Sequence, residues 1–244
     1  MTGTAWGDGA PWVLAHLAGM IGEEDDPAGF DPCHPFLAAV SACVPGWRIG
    51  RSGLVLDSLV PAVLEQKVTS AEALRSWREL VWRFGSPAPG PGPRSGPLRL
   101  PLDAAGWAML PSWEWHRAGV GPQRAATVVR AARIADRLQS IASEDGSAAL
   151  DRALRSIPGI GVWTSAEIRQ RVCGDADAVS VGDYNLPKLV GFALTGERTD
   201  DAGMLALLSR WPGHRYRVTR LIELGGLRVP RRGPRMPIRD FRAI

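Results

Sequence analysis

Apolar residues recur at steps of three and four along most of the chain, the spacing of one buried face on an α-helix. In segment 60–84 this spacing predicts a single helix, with Pro61 in its first turn and Gly85 at its end. The apolar positions there are Val60, Val63, Leu64, Val68, Ala71, Leu74, Trp77, Val81 and Phe84. The same spacing predicts helices over 12–20, 123–141, 150–157, 163–172 and 215–224.

Alternating apolar and polar positions, which mark half-buried strands, are nearly absent, and only short stretches such as 178–181 suit an extended backbone. We therefore predict an all-α fold with two helical lobes. Segment 86–97, rich in proline and glycine, can neither hold a helix nor pair as a central strand, so we expect a loop that separates the lobes. The N- and C-terminal helices are expected to complete one lobe.

Composition and charge narrow the class of protein. Of the 244 residues, 45% are hydrophobic and 22% are charged, which is ordinary for a globular chain. The net charge of +4 comes from the end of the chain, where segment 228–244 holds six arginines against Asp240. This basic tail is open to two interpretations, a solvated tail or a contact with phosphate.

The three cysteines, Cys33, Cys43 and Cys173, form no CxxC pair. We therefore expect a reducing compartment and neither a disulfide framework, a structural zinc site nor an iron–sulfur cluster. No apolar run approaches the ~20 residues that span a bilayer, and no signal-peptide pattern opens the chain. The expectation is a cytoplasmic protein without a membrane partner, and a monomer is the default.

Segment 154–168, LRSIPGIGVWTSAEI, has the strongest local pattern. Pro158 cannot continue the preceding helix, and the glycines after it allow a tight turn that another molecule can approach closely. A new helix begins near Trp163, and its free N–H groups suit an anion such as a DNA phosphate. The predicted phosphate contacts are Gly159, Ile160, Gly161, Val162 and Thr164. The pattern is that of the helix-hairpin-helix motif, which ligases, nucleases and polymerases also use; the alternative is an ordinary pair of helices joined by a glycine turn, with no role in DNA binding.

Asp183 lies 20 residues beyond Trp163, in VSVGDYNLPK. Gly182 permits a bend before it, and a helix can start from Tyr184 onward. Cleavage of a glycosidic bond develops positive charge on the sugar, and a fixed carboxylate stabilises that charge and orients water. This chemistry requires neither a metal nor an organic cofactor. Asp183 is also a favourable helix cap, and one residue can do both.

Together, the hairpin, the spacing and the aspartate resemble the helix-hairpin-helix DNA glycosylase superfamily, and within it the DNA-3-methyladenine glycosylase II branch. The resemblance covers about residues 54–226. It includes four short motifs, LEQKVTS (64–70), GVGPQRA (119–125), PGIGVWTSAE (158–167) and GDYNLPK (182–188). It divides the chain into an N-terminal helical segment (1–53), the glycosylase core (54–226) and the basic tail (227–244).

The resemblance implies a two-lobed helical fold that binds duplex DNA and takes a flipped, damaged base into the cleft. Asp183 matches the family's catalytic aspartate, and Trp163 matches the aromatic residue that stacks on the base. Lyase-active branches carry a lysine at that position, so no lyase step is expected here. Tyr184 is a second candidate pocket wall. The alternative for both aromatic residues is plain packing within the protein.

Four further features follow from the resemblance. Gln66 matches a polar residue presented toward DNA, and Arg124 in GVGPQRA is a further predicted DNA contact. Lys67 stands where an apolar wedge often fills the vacated stack, and a lysine suits a phosphate or groove contact better. The small N-terminal β domain of longer relatives is expected to be missing.

The function that we predict is a monofunctional DNA glycosylase that releases alkylated purines of the 3-methyladenine type. Two alternatives remain at this stage. The same fold can act on another lesion, such as a deaminated purine or uracil, because the pocket determines the substrate. The chain can also be a non-catalytic helix-hairpin-helix DNA-binding protein.

Overall fold

The computed structural model describes residues 2–92 and 97–230. Within these ranges the chain forms helices and one two-stranded antiparallel ribbon, so the all-α prediction is confirmed. The helices are α1 (Ala10–Met20), α2 (Pro35–Cys43), α3 (Val55–Leu64), α4 (Ser70–Phe84), α5 (Ala104–Met109), α6 (Ser112–Arg117), α7 (Pro122–Ala132), α8 (Ala135–Glu144), α9 (Gly146–Arg155), α10 (Val162–Val172), α11 (Leu186–Thr195), α12 (Asp201–Leu208) and α13 (Arg215–Leu224). The strands are β1 (Ser86–Pro87) and β2 (Arg99–Leu100).

The first of two hydrophobic cores is built by α3 to α10. Helix α3 lies at its centre and packs against α4, α7, α8 and α10. Three indoles stack in sequence within it, with ring centroids 5.9 Å apart from Trp77 to Trp107 and 5.6 Å apart from Trp107 to Trp115. Leu59, Leu64, Leu80, Leu138, Leu154 and Ile168 are among its fully buried members.

The second core joins α2 to α11, α12 and α13, so helices from both ends of the chain complete one lobe, as predicted. Its most buried side chains are Leu37, Val190, Met204, Leu208, Val218 and Ile222. A buried ion pair ties the N-terminal segment to α13: Arg217 Nη2 donates to Asp25 Oδ1 at 2.6 Å. The second lobe therefore depends on residues far apart in sequence.

The predicted continuous helix over 60–84 is wrong. Helix α3 begins at Val55, so Pro61 lies inside it rather than in its first turn, and the helix ends at Leu64. Lys67 then adopts φ 55°, a left-handed conformation that cannot continue a helix. Helix α4 then begins, because the Thr69 side chain accepts the Glu72 N–H and the Glu72 carboxylate accepts the Thr69 N–H.

The predicted helix over 123–141 is likewise two helices, α7 and α8, separated by a turn at Arg133 and Ile134. The turn lets α7 pack on α5 while α8 packs on α9. Tertiary packing therefore overrides a periodicity that runs through both segments. By contrast, α10 and α13 occupy their predicted ranges to within one residue.

The segment rich in proline and glycine does not separate the lobes. Leu80 before it and Trp107 after it belong to the same core. Its first two residues form one strand of the ribbon, in which Ser86 pairs with Leu100 and Pro87 with Arg99. Residues 93–96 of the predicted loop and 231–244 of the basic tail lie outside the described residues. No helix within the described ranges has the length and hydropathy to cross a membrane.

Candidate active site

The turn between α9 and α10 has the geometry expected of a phosphate-binding hairpin. Gly159 has φ +101°, and a Cβ there would overlap the Thr127 hydroxyl, so only glycine fits. The Pro158 carbonyl accepts hydrogen bonds from Thr127 Oγ1 and from Arg130 Nη1, each at 3.3 Å. Arg130 is exposed beside the turn and was not among the predicted DNA contacts, and no local sequence pattern distinguishes it from the other exposed arginines.

Helix α10 begins at this turn without a side-chain cap. Gly161 is extended, with φ −98° and ψ −173°, and a Cβ added there would meet nothing within 4 Å. The first helical hydrogen bond runs from Ser165 N–H to Gly161 O at 3.0 Å, so the N–H groups of the preceding residues have no intrahelical acceptor. Val162 stands 43% exposed at this helix end. The positive end of α10 is thus open to an anion.

The Gln66 side chain, just after the end of α3, hydrogen-bonds to this hairpin. Its Nε2 donates to Gly159 O at 2.9 Å and to Thr164 Oγ1 at 2.8 Å. The amide nitrogen predicted to face DNA is therefore engaged within the protein, and it fixes the turn against the end of α3. Sequence reasoning found the residue but not this partner, which lies 93 positions along the chain.

The structure brings Trp163 and Asp183 together. Trp163 Nε1 donates to Asp183 Oδ2 at 3.2 Å. The other oxygen, Asp183 Oδ1, accepts the N–H groups of Asn185 at 2.7 Å and Leu186 at 2.8 Å, where α11 begins. The Asp183 carboxylate therefore accepts backbone N–H groups where α11 begins and also contacts the Trp163 indole. Its two oxygens are fixed from opposite lobes, one by α10 and one by α11.

Helix α10 presents one further polar stripe below Trp163. Glu167 and Arg171 follow at steps of four, so all three side chains share one face of the helix. Arg171 Nη1 donates to Glu167 Oε2 at 2.7 Å, and the Ser180 hydroxyl donates to Glu167 Oε1. Sequence reasoning missed this pair, although the four-residue spacing from Trp163 could have found it.

Two half-buried groups lie against this stripe. Burial raises the pKa of Glu65, at the end of α3, and the carboxylates of Glu167 and Asp183 raise it further against the opposing effect of Arg171. Burial also raises the pKa of Tyr216 on α13, whose hydroxyl feels the charges of Arg171 and Glu167. Neither residue was predicted as part of the site.

Two of the predicted DNA contacts are built into the protein instead. Arg124 donates to Leu64 O at 2.6 Å and to Gly119 O at 3.2 Å, and burial lowers the pKa of its guanidinium. Ile160 is 6% exposed, with its side chain in the first core, and its N–H donates to Ile157 O at 3.0 Å. The geometry gives these residues a structural role, and DNA contact by either one stays a prediction.

Lys67 and Tyr184 both face solvent. Lys67 follows Gln66 in the left-handed conformation noted above, with an exposed side chain. The Tyr184 ring is 80% exposed, and Lys188 Nζ lies 3.3 Å from its centroid. Tyr184 directly follows Asp183 in the chain, and its role as a second pocket wall stays a prediction.

Neither a protein-family model nor a curated protein sequence matches this chain. Several solved structures are similar to this chain. A 3-methyladenine DNA glycosylase from Archaeoglobus fulgidus shares 15% identity at a TM-score of 0.67, over 88% of this chain and 75% of that chain. Mag1, the 3-methyladenine DNA glycosylase of Schizosaccharomyces pombe solved with abasic DNA, gives 15% identity and a TM-score of 0.60, over 81% of this chain and 91% of that chain.

A third similar structure is the 8-oxoguanine glycosylase/lyase of Clostridium acetobutylicum bound to double-stranded DNA. It gives 12% identity and a TM-score of 0.67, over 88% of this chain and 74% of that chain. The similar structures thus span different lesions, and at these identities the likeness concerns the backbone. This chain has the fold of the helix-hairpin-helix DNA glycosylases.

Proposed function

We propose that this protein is a monofunctional DNA glycosylase that flips an alkylated purine out of duplex DNA and releases it with water, leaving an abasic site. The observation that carries the proposal is the contact of Trp163 Nε1 with Asp183 Oδ2 beside an open helix N-terminus. It unites a base-stacking surface, a carboxylate and a phosphate-binding turn. The similar structures, which include two 3-methyladenine glycosylases, support the same reading.

Asp183 is the proposed catalytic residue. As the glycosidic bond breaks, positive charge develops on the sugar, and a carboxylate fixed beside it stabilises that charge. The hydrogen bonds to Oδ1 hold the group in place, so it needs little reorganisation as the charge forms. The carboxylate also orients or deprotonates the attacking water.

The hairpin between α9 and α10 is the proposed binding site for the backbone of duplex DNA. The N–H groups at the start of α10 are directed at a phosphate oxygen, and the helix dipole favours the negative charge. Such a contact positions the sugar–phosphate chain without reading base sequence. Gly159, Gly161, Val162 and Thr164 supply this surface, with Arg130 beside it and Lys67 on the neighbouring turn.

The proposal includes the absence of a lyase step, because position 163 holds an indole and not an amine able to form a Schiff base. An end-labelled duplex with one 3-methyladenine-type lesion tests both base release and the absence of a lyase step. We expect strand cleavage only after alkali treatment, and no covalent adduct on borohydride reduction. Cleavage without alkali would contradict the monofunctional assignment, and no cleavage under either condition would favour a non-catalytic DNA-binding protein.

Replacing Trp163 by alanine is expected to slow release of a methylated purine by about 10–100-fold, since stacking on an aromatic ring contributes ~1–3 kcal/mol per base. Affinity for undamaged duplex should change less than about two-fold, because the hairpin is intact. Trp163→Phe keeps a ring and should retain most of the activity. Equal losses of base release and duplex affinity would assign Trp163 to structure alone.

Replacing Gly161 by valine is expected to weaken duplex binding by about ten-fold, because the new side chain stands where a phosphate approaches the N–H groups. Folding should be unaffected, since the extended backbone accepts any residue and the Cβ has free space. Binding is measured by fluorescence anisotropy and folding by thermal circular dichroism. Gly159→Ala is the contrasting variant: it should lower the melting temperature, because its Cβ would overlap Thr127. Unchanged binding by Gly161→Val would remove the hairpin from the account.

A further inference from the structure

The segment that carries Asp183, residues 178–183, is held against α10 by a buried glutamine. Gln170 Nε2 donates to Ala178 O at 2.7 Å and to Ser180 Oγ at 3.0 Å. The side chains of Gln170 and Ser180 are both buried, so losing either partner would leave a polar group without water to replace it. The segment belongs to neither strand of the ribbon, so side chains of α10, and not a β-ladder, fix its position.

Ser180 links α10 to Asp183 through both its side chain and its backbone. Its hydroxyl accepts a hydrogen bond from Gln170 and donates one to Glu167 Oε1. Its carbonyl oxygen accepts the Asp183 N–H at 3.3 Å. A shift of Ser180 along α10 would therefore move the backbone of Asp183 as well.

The contacts between α10 and this segment follow one face of the helix. Gln170, Glu167 and Trp163 are separated by three and four residues, the spacing of neighbours on a helix surface. The first two contact Ser180, and Trp163, one turn nearer the hairpin, contacts Asp183. The segment therefore runs antiparallel to α10 and brings the Asp183 carboxylate toward the end of the helix where the phosphate-binding turn lies.

Contacts from the second lobe fix this part of the chain relative to α11 and α12, but not relative to α10. Gly182 N–H donates to Asp201 Oδ1 at 3.1 Å, and Asp183 Oδ1 accepts two N–H groups at the start of α11. The phosphate-binding turn belongs instead to the first lobe, with α9 and α10. The bonds of Ser180 and of the Trp163 indole thus connect the carboxylate to the lobe that holds the turn.

We propose that Ser180 is a positioning residue for base release, because its hydroxyl, held between Gln170 and Glu167, sets the distance from the Asp183 carboxylate to the start of α10. The inference rests on the proposed glycosylase function and deepens it. One duplex contacts both the turn and the carboxylate, so the spacing between them must be constant. A displacement of about 1 Å can lower a rate on the order of 100-fold. Ser180 acts through Asp183 and is not itself a catalytic residue.

Replacing Ser180 by alanine is expected to lower the single-turnover rate of 7-methylguanine release by about 10–100-fold, measured well below the melting temperature. Affinity for undamaged duplex should change less than about two-fold, because the hairpin is intact. The Trp163 indole N–H gives a readout that a purely structural role would not move. Its peak in a ¹H–¹⁵N correlation spectrum, assigned by its absence in Trp163→Phe, should shift upfield as the bond to Asp183 weakens.

Ser165→Ala is the matched control. Ser165 is also a buried serine at α10, and its hydroxyl donates to a carboxylate oxygen, Asp151 Oδ1, at 2.6 Å. Its replacement removes a bond of the same kind without touching the segment that carries Asp183, so the rate should stay within about two-fold of wild type. Gln170→Met removes both donors while keeping the size of the side chain, and it serves in the same way if Ser180→Ala shows no native melting curve.

A lower rate together with a shifted Trp163 peak in Ser180→Ala, and a retained rate in Ser165→Ala, supports the proposal. A wild-type rate in Ser180→Ala overturns it, as do equal losses of rate in the two serine variants. A lower rate with the Trp163 peak unmoved also overturns it, because Asp183 would then have kept its place. Wild-type protein that releases no base would instead overturn the proposed function, and this inference with it.

Discussion

Replacing Asp183 by asparagine is expected to lower the single-turnover rate of base release by at least about 10³-fold. The substitution removes the negative charge that stabilises the cationic sugar and the group that activates water. Binding to undamaged duplex, measured in parallel, should change less than about two-fold, because the hairpin contacts the phosphate independently.

Asparagine is chosen because it preserves the start of α11. Its Oδ1 can still accept the N–H groups of Asn185 and Leu186, whereas its amide nitrogen cannot accept the Trp163 Nε1–H. Asp200→Asn is the matched control, since Asp200 caps α12 in the same way, accepting the Gly203 N–H at 2.9 Å. The control should release base at the wild-type rate. Wild-type activity in Asp183→Asn would instead leave Asp183 as a helix cap only.

Replacing Asp25 by alanine is expected to lower the free energy of unfolding by about 3–5 kcal/mol, since Arg217 would be left buried without its counter-ion. Both side chains of the pair are 3% exposed, and Arg217 donates to the carboxylate at 2.6 and 2.8 Å. In a chain of this length the melting temperature should fall by roughly 10 °C, which differential scanning calorimetry can measure.

Glu24→Ala is the natural control for this prediction. Glu24 pairs with Arg51 on the surface, where the side chains are 51% and 46% exposed, so its loss should cost no more than about 1 kcal/mol. Equal effects of the two substitutions would contradict the assignment of Asp25–Arg217 as the link that closes the second lobe.

The Asp25 contribution has a defined dependence on pH. Burial acts to raise the pKa of Asp25, but the hydrogen bonds from Arg217 and the Ile49 N–H hold it below its usual value. A carboxyl whose pKa is lower in the folded state stabilises the fold above its unfolded pKa, and this contribution is lost as pH falls through the folded value. The difference in stability between wild type and Asp25→Ala should therefore shrink under acid conditions.

The structural features that could be predicted from the sequence are those determined by residues close together in the chain. The turn at Gly159 and Gly161 needs glycine for reasons of backbone conformation, and α10 and α13 have boundaries set by nearby residues. Asp183 could be identified because a fixed number of residues separates it from Trp163, and the segments between them are a helix and a short extended stretch. The hydrogen bond between the two is seen only in the structure.

The features that sequence reasoning missed depend on long-range contacts. The break after Leu64 places Gln66 on the hairpin, but the periodicity of the apolar residues continues through it. Arg124 carries the positive charge that a phosphate contact needs, yet its guanidinium donates hydrogen bonds to backbone carbonyl groups that only the folded chain brings near. Glu65 has no distinctive sequence pattern, because its raised pKa comes from burial and from the charges that only the folded chain brings near it.

The central claim is that the carboxylate of Asp183 and the indole of Trp163 form a site that hydrolyses the glycosidic bond of a flipped base. Chromatography of the bases freed from methylated genomic DNA tests this claim most directly. The account predicts free 3-methyladenine and 7-methylguanine with the wild-type protein, well above the amounts lost without enzyme, and neither above that background with Asp183→Asn. Equal amounts of free base with and without the wild-type protein would contradict it.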